Sequence, residues 1–215
     1  MIHLNRKNAP SCLRTKHKSG VSNAVQWGLD WEGKLQNNAK AKFSWRTYKG
    51  DAVNEILISK LRLLSNDHCC FCDKYAPEQD SDSIEHFKPK HIYPKIAYTW
   101  SNLFLCCTGC QKRAKGWKTY ENKQHLVLKP DVASYAFDKY FLFDTRTGNI
   151  EVNKFNTTPK DQERAELTII YYQLNGFKRP QSRKSQFMKF YDSLSHNNIK
   201  DNLLLEEMPY RFIYQ

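Results

Sequence analysis

Two cysteine pairs of identical spacing, Cys69-Cys70-Phe71-Cys72 and Cys107-Thr108-Gly109-Cys110, constrain this chain more than any other feature. A Cys-x-x-Cys turn presents two sulfurs to one tetrahedral ion. Two such turns supply the four thiolates, at about 2.3 Å each, that close a structural zinc site. A thioredoxin-like redox centre needs only one pair, and a disulfide framework needs an oxidising compartment. The chain has seven cysteines, an N-terminus (Met1-Ile2-His3-Leu4-Asn5-Arg6-Lys7) unlike a signal peptide, and no apolar run near the ~20 residues of a membrane helix. These features predict a cytoplasmic protein that keeps its thiols for metal. Cys69, Cys72, Cys107 and Cys110 are the predicted zinc ligands, with Cys70 and Cys106 as spares or packing residues and Cys12 as a buried small hydrophobe.

The pairs are separated by 34 residues, against the roughly 15–20 of a simple zinc ribbon, so a further unit sits on the zinc frame. That insertion contains Ser83-Ile84-Glu85-His86-Phe87-Lys88-Pro89-Lys90 and ends in Trp100-Ser101-Asn102-Leu103-Phe104-Leu105. Adjacent residues on a strand point to opposite sides, so a turn or bulge must re-aim Glu85 or His86 if both serve one site.

The order Cys-x-x-Cys, acidic-His, then Asn-Leu five residues ahead of a second Cys-x-x-Cys resembles the HNH endonucleases and their ββα-metal fold. The resemblance covers residues 68–118, and each piece alone is unspecific. It implies that His86 is the general base, Glu85 a metal ligand, and Asn102 the residue that holds the His86 loop or ring. Where that family carries His or Asn directly after the last cysteine, this chain has Gln111. Its amide oxygen can bind a hard divalent ion, though from a longer side chain. This leaves two outcomes, a magnesium site with an unusual ligand or a weakened nuclease. His91 is read as a surface or phosphate-contacting residue in preference to a replacement ligand.

Oxygen ligands suit Mg²⁺ or Mn²⁺ whereas thiolates suit Zn²⁺, so the resemblance implies two metals with separate work. Phosphodiester hydrolysis needs a deprotonated water and a cation on the developing charge; a neutral histidine and the divalent ion supply them. Lys88, Lys90, Lys112, Arg113 and Lys115 are placed to contact nucleic-acid phosphates. The fuller string Glu85-His86-Phe87-x-Pro89-Lys90, with a tyrosine at 93 or 98 and Trp100-x-Asn102-Leu103, is similar to the HNH subunits of Septu and retron-associated anti-phage systems. That likeness implies a separate ABC-type ATPase partner, and the sequence has no Gly-x-x-x-x-Gly-Lys-[Ser/Thr] loop of its own.

Charge agrees with a polyanionic partner: 34 Lys and Arg against 22 Asp and Glu give +12, which admits nucleic acid, anionic membrane or acidic protein. Residues 1–68 carry 12 basic and 5 acidic side chains (+7), residues 69–120 carry 8 and 5 (+3), and residues 121–215 carry 14 and 12 (+2). The expected architecture is α+β: a basic segment 1–67 ending in a helix, a zinc-bound HNH core 68–120, and an extension 121–215 with a β-hairpin and helices. Glycines interrupt residues 1–50, which predicts irregular chain with short helices. Asp51 is expected to cap a helix bearing Val53, Leu57 and Leu61, a hairpin to join residues 140–144 to 149–152, and Thr158-Pro159 to start another helix. Arg179, Arg183 and Lys184 begin the last helix, where cations oppose the macrodipole; they read as a solvated face, with an acidic partner as the other option. The tail residues Leu203, Leu204, Leu205, Tyr210, Phe212, Ile213 and Tyr214 read as core closure. Two further functions stay open: a zinc-stabilised nucleic-acid-binding or scaffold subunit with a degenerate HNH site, and an HNH nuclease acting on RNA such as tRNA.

Overall fold

Residues 1–75, 83–111, 121–176, 178–195 and 206–214 are described by a computed structural model, and they form a mixed α+β fold with three two-stranded antiparallel sheets. Lys112, Arg113, Lys115 and the Leu203 to Leu205 stretch lie outside the described residues.

The N-terminal segment is more regular than its glycines suggest. After one helical turn, α1 (Ser11–Arg14), the Ser22 hydroxyl accepts from the Val25 N–H and starts α2 (Asn23–Asn37). Trp27 and Trp31, one turn apart, are both buried, and that packing outweighs the helix cost of Gly28 and Gly33. Gly28 serves the packing itself: a Cβ there would stand 2.1 Å from the Lys95 carbonyl oxygen, in the 3-10 turn Pro94–Ile96 against which α2 lies.

A two-residue ladder, β1 (Thr47–Tyr48) with β2 (Asp51–Ala52), leads into α3 (Val53–Ser65). Asp51 does not cap this helix. It is held opposite Tyr48 in the ladder, and the capping position falls to Ala52, whose methyl group cannot accept a hydrogen bond. Val53, Leu57 and Leu61 are fully buried along one face, and the helix stops at Asn66 in the left-handed conformation (φ 52°).

The centre of the molecule is β3 (Ser83–His86) paired with β4 (Leu103–Cys106), followed by the single turn α4 (Thr108–Gln111). All four residues of β4 are buried, which is why its sequence is an unbroken apolar run. The C-terminal part adds α5 (Phe137–Tyr140), the hairpin β5 (Phe141–Phe143) and β6 (Ile150–Val152), α6 (Pro159–Tyr171) and α7 (Arg179–Ser195). Helix α6 begins as expected, with the Thr158 hydroxyl accepting from the Asp161 N–H and Pro159 in the first turn.

The solvated face expected for Arg183 is overturned. Its guanidinium is buried, donating to the carbonyls of Gly148 (2.8 Å) and Leu174 (2.8 Å) and to Asn175 Oδ1 (2.9 Å), so it ties α7 to the hairpin. Tyr210, Phe212 and Ile213 close the core as expected, and Cys12 is buried in it. One apolar cluster takes in residues from all three predicted segments and includes the cysteines of both knuckles. Among the described residues, no helix is long and apolar enough to cross a membrane.

Candidate functional site

The β3–β4 register is continuous, with Glu85 opposite Phe104 and His86 opposite Leu103. No bulge intervenes, so the two side chains leave on opposite faces of the hairpin. His86 is the last strand residue, and the loop beyond it is tied down by Asn102. Asn102 Oδ1 accepts from the Lys88 N–H (2.7 Å), and its Nδ2 donates to the carbonyls of Lys88 (3.1 Å) and Ile96 (3.2 Å). The Phe87 N–H adds a bond to the Asn102 carbonyl (2.9 Å). This buried asparagine therefore grips the loop after His86 and not the imidazole ring.

His86 lies in an aromatic recess. Trp45 stacks on its ring (centroids 5.6 Å, 19° between planes), and Phe43 meets it edge-on at 5.3 Å. Both come from the loop after α2, which Tyr98 pins by donating its hydroxyl to the Ser44 carbonyl (2.7 Å). Nε2 of His86 is 3.0 Å from the Ala97 carbonyl oxygen. A carbonyl only accepts, so Nε2 carries the hydrogen and Nδ1 the lone pair. Burial drives the imidazole down to about 3, with the Lys90 ammonium pushing the same way and the Ala97 bond opposing. The ring is neutral at physiological pH.

Glu85 occupies the other face, on the side of Phe104, Cys106 and Tyr172. Burial lifts its carboxyl to about 7, and the Lys90 ammonium pulls it partly back. Lys90 thus acts on both members of the pair. Its Nζ sits 4.8 Å from the Phe43 ring centroid, and burial lowers its own pKa. Lys88 is exposed, with Nζ 5.2 Å from the Tyr93 ring centroid. Gln111 is exposed at the end of α4, the turn that packs against β3. His91 is exposed, as expected, its ring set edge-on to Trp31 at 5.7 Å.

The four cysteines predicted from spacing converge. The sulfurs of Cys69, Cys72, Cys107 and Cys110 all lie within 4.8 Å of one another and are buried. Cys72 and Cys107 stand 3.7 Å apart, close to the roughly 3.8 Å edge of a tetrahedron with 2.3 Å metal–sulfur bonds and far from a disulfide. Geometry and donor chemistry fit a metal ion such as zinc. Cys70 and Cys106 stand outside the quartet; burial pushes the Cys70 thiol up to about 12, and Cys106 Sγ donates to the Cys107 carbonyl.

Two cations that spacing did not single out as site residues reach this cluster from the C-terminal part. Arg179 Nη2 donates to Cys110 Sγ at 3.1 Å and its Nη1 to the Tyr172 carbonyl at 2.9 Å, so this cation also leaves the solvated face expected of it. The clue available was its place at a helix start, which favours an anionic partner. On the first knuckle, Asp73 accepts from Arg211 Nη2 (2.6 Å) and from the Arg211 backbone N–H (2.6 Å), with Asp73 itself at φ 59°. Nothing in the local pattern links these residues, which are 138 positions apart.

No protein-family model matches the chain. It is 27% identical over 182 residues to a Septu protein PtuB of Bacillus thuringiensis, covering 83% of this chain and 56% of that protein. A Septu protein PtuB of Bacillus mycoides is 24% identical over 144 residues, covering 60% and 46%. The chain therefore spans about half the length of the curated relatives it matches.

Proposed function

We propose that this chain is the nuclease subunit of an anti-phage defence system: an HNH-type, metal-dependent endonuclease that hydrolyses DNA phosphodiester bonds, leaves 5′-phosphate ends and works with a separate ATPase. The observation that carries this reading is a neutral histidine whose basic nitrogen is assigned. Nδ1 of His86 is left as acceptor by the Nε2 bond to Ala97, at the end of a hairpin seated on a four-cysteine frame. Similarity to proteins named Septu protein PtuB supports the defence setting.

In this reading His86 Nδ1 takes the proton from the attacking water; burial leaves that lone pair unprotonated in the physiological range but weakly basic, so the role requires the ring to gain basicity when the negative phosphate binds beside it. The Glu85 carboxylate and the Gln111 amide oxygen would hold Mg²⁺ or Mn²⁺, an ion that supplies positive charge to the phosphate oxygens; because the regular β3–β4 register sends Glu85 to the face opposite His86, one site for both requires the end of β3 to be re-aimed when metal and substrate bind. Asn102 fixes the Lys88 backbone so that Lys88 and Lys90 meet flanking phosphates, and Lys112, Arg113 and Lys115 extend that contact. A zinc ion on Cys69, Cys72, Cys107 and Cys110 would be structural, since four thiolates leave it no open position.

Trp45 stacked over His86 and Gln111 in the third motif position favour one second reading, a zinc-stabilised nucleic-acid-binding subunit whose HNH site has decayed. Incubation with plasmid, linear duplex, single-stranded DNA and tRNA, with Mg²⁺ or Mn²⁺ and with the ATPase of the same system, separates the two. Cleavage should fall about 10²- to 10⁴-fold in His86→Ala. Equal cutting by the variant removes the role given to His86, and preference for tRNA moves the substrate to RNA. Mn²⁺ binding to zinc-loaded protein that is indifferent to Glu85→Ala supports the decayed site.

A further inference from the structure

A cavity of about 550 Å³ opens between the N-terminal segment, α3 and the turn Trp100–Asn102, and no residue assigned above to metal or catalysis lines it. Its cations are Lys7, Arg14 and Lys60, its apolar wall includes Leu63 and Trp100, and its lining contains no acidic residue.

The chain builds this surface by alternation. Leu4 is anchored by its N–H to the Pro130 carbonyl (2.9 Å), and Arg6 turns inward to Asp131 (2.6 Å) and to the carbonyls of Trp100 and Leu103. Lys7 is then left facing outward, with its carbonyl held by the Trp100 indole N–H (3.0 Å). Arg6 is ion-paired; among the described residues Lys7, Arg14 and Lys60 are not. Arg14 uses only Nε internally, on the Ala9 carbonyl (2.7 Å), which leaves both Nη groups for a ligand. Three uncompensated cations sharing one concavity repel one another and lower that cost by meeting a polyanion. Leu63, 73% exposed beside them, adds an apolar surface of the kind a sugar or base face can cover.

We propose that this groove binds the phosphate backbone of nucleic acid, gripping substrate through Lys7, Arg14 and Lys60 while the Trp100–Asn102 turn connects the grip to the His86 loop. The inference rests on nucleic acid being the substrate class of the proposed nuclease. It also gives the +7 excess of residues 1–68 a definite place to act.

The test is fluorescence anisotropy on the full chain in the His86→Ala background, with labelled single-stranded and duplex 20-mers and no added Mg²⁺ or Mn²⁺, over a range of salt. Neutralising Lys7→Gln, Arg14→Gln and Lys60→Gln together should weaken binding at least tenfold at 0.1 M salt. It should also reduce the slope of log affinity against log salt, by about 0.9 on the duplex and about 0.7 on the single strand for each phosphate that is no longer neutralised. A control with Lys154→Gln and Lys160→Gln, exposed cations elsewhere, should change neither. The inference is overturned by an unchanged slope in the triple variant, by an equal loss in the control, or by no oligonucleotide binding at all. It is also overturned if the triple variant loses affinity for poly-glutamate and keeps it for DNA, which assigns the groove to an acidic protein. Cleavage by the wild-type histidine is scored separately, so absence of cutting with slope-dependent binding refutes the nuclease reading and leaves the groove standing.

Discussion

The two faces of the β3–β4 hairpin are closed by opposite ends of the described chain and by opposite chemistry. His86 is packed by rings from the N-terminal part, Phe43 and Trp45, whereas the Glu85 side leads to Cys106, Tyr172 and the cysteine quartet, where Arg179 and Arg211 arrive from the C-terminal part. Burial acts on both neighbours in the same sense, against charge, yet it moves their pKa values apart in opposite directions because one ionises by gaining a proton and the other by losing it. The imidazole is taken to about 3 and the carboxyl to about 7. One hairpin thereby carries an imidazole that stays neutral down to about pH 3 on one face and, on the other, a carboxyl that titrates near physiological pH.

If the cysteine face depends on the C-terminal part, its ion pair is the place to break it. Asp73 and Arg211 are largely buried, 2% and 16% exposed, so Asp73→Ala leaves a guanidinium without its partner. The expected loss is about 3–5 kcal/mol of unfolding free energy, read by urea denaturation of zinc-loaded protein. A loss below about 1 kcal/mol would mean that the tail is an accessory to this face and not its closure.

The next effect separates the faces by pH. The folded Glu85 keeps, up to about pH 7, a proton that the unfolded chain releases near 4.5, so it costs stability progressively as pH rises through that window. His86 behaves oppositely: the unfolded chain takes up a proton near 6.5 that the folded ring refuses until about 3, so stability drains as pH falls. In zinc-loaded protein without Mg²⁺ or Mn²⁺, Glu85→Gln should be more stable than wild type by about 3 kcal/mol at pH 8 and close to it near pH 4.5. His86→Gln should flatten the decline between pH 6.5 and 4. Thermal melts across pH check both, and parallel curves for the variants and wild type would erase the contrast between the faces.

The smallest effect concerns Arg179. A cation on Cys110 Sγ offsets the negative charge of a four-thiolate complex, so Arg179→Gln should release zinc to a chelator about tenfold faster. Arg179→Lys, which keeps charge but not the forked geometry, should recover only part of that. Release at the wild-type rate in both variants would reduce the 3.1 Å contact to packing.

What could be read in the sequence was whatever repeats over a short span. Two Cys-x-x-Cys turns named the quartet, the 3.6-residue spacing of Val53, Leu57 and Leu61 named a buried face, and Thr158-Pro159 named a helix start. Failures arose where distant residues overruled local signals. Gly28 reads locally as an interruption but is required by the Lys95 carbonyl, and Asp51 reads locally as a cap but is held in its ladder with Tyr48. Trp45 on His86 and Arg211 on Asp73 have no short-range signature, since their partners are 41 and 138 residues away. The pKa pattern at Glu85 and His86 was equally out of reach, because burial is a property of what packs on a strand from elsewhere.

The Asp73–Arg211 contact also sets a schedule for synthesis. The first cysteine knuckle leaves the ribosome 138 residues before the arginine that completes it. At translation rates of ~5–20 residues per second, this is an interval on the order of 10 s. During that interval Asp73 has no guanidinium, Cys110 awaits Arg179, and the Glu85 face lacks Tyr172. The frame beneath the proposed site is thus finished only after most of the described chain has been made, and a chain stopped before Arg179 would carry the Glu85-His86 motif without the frame that supports it.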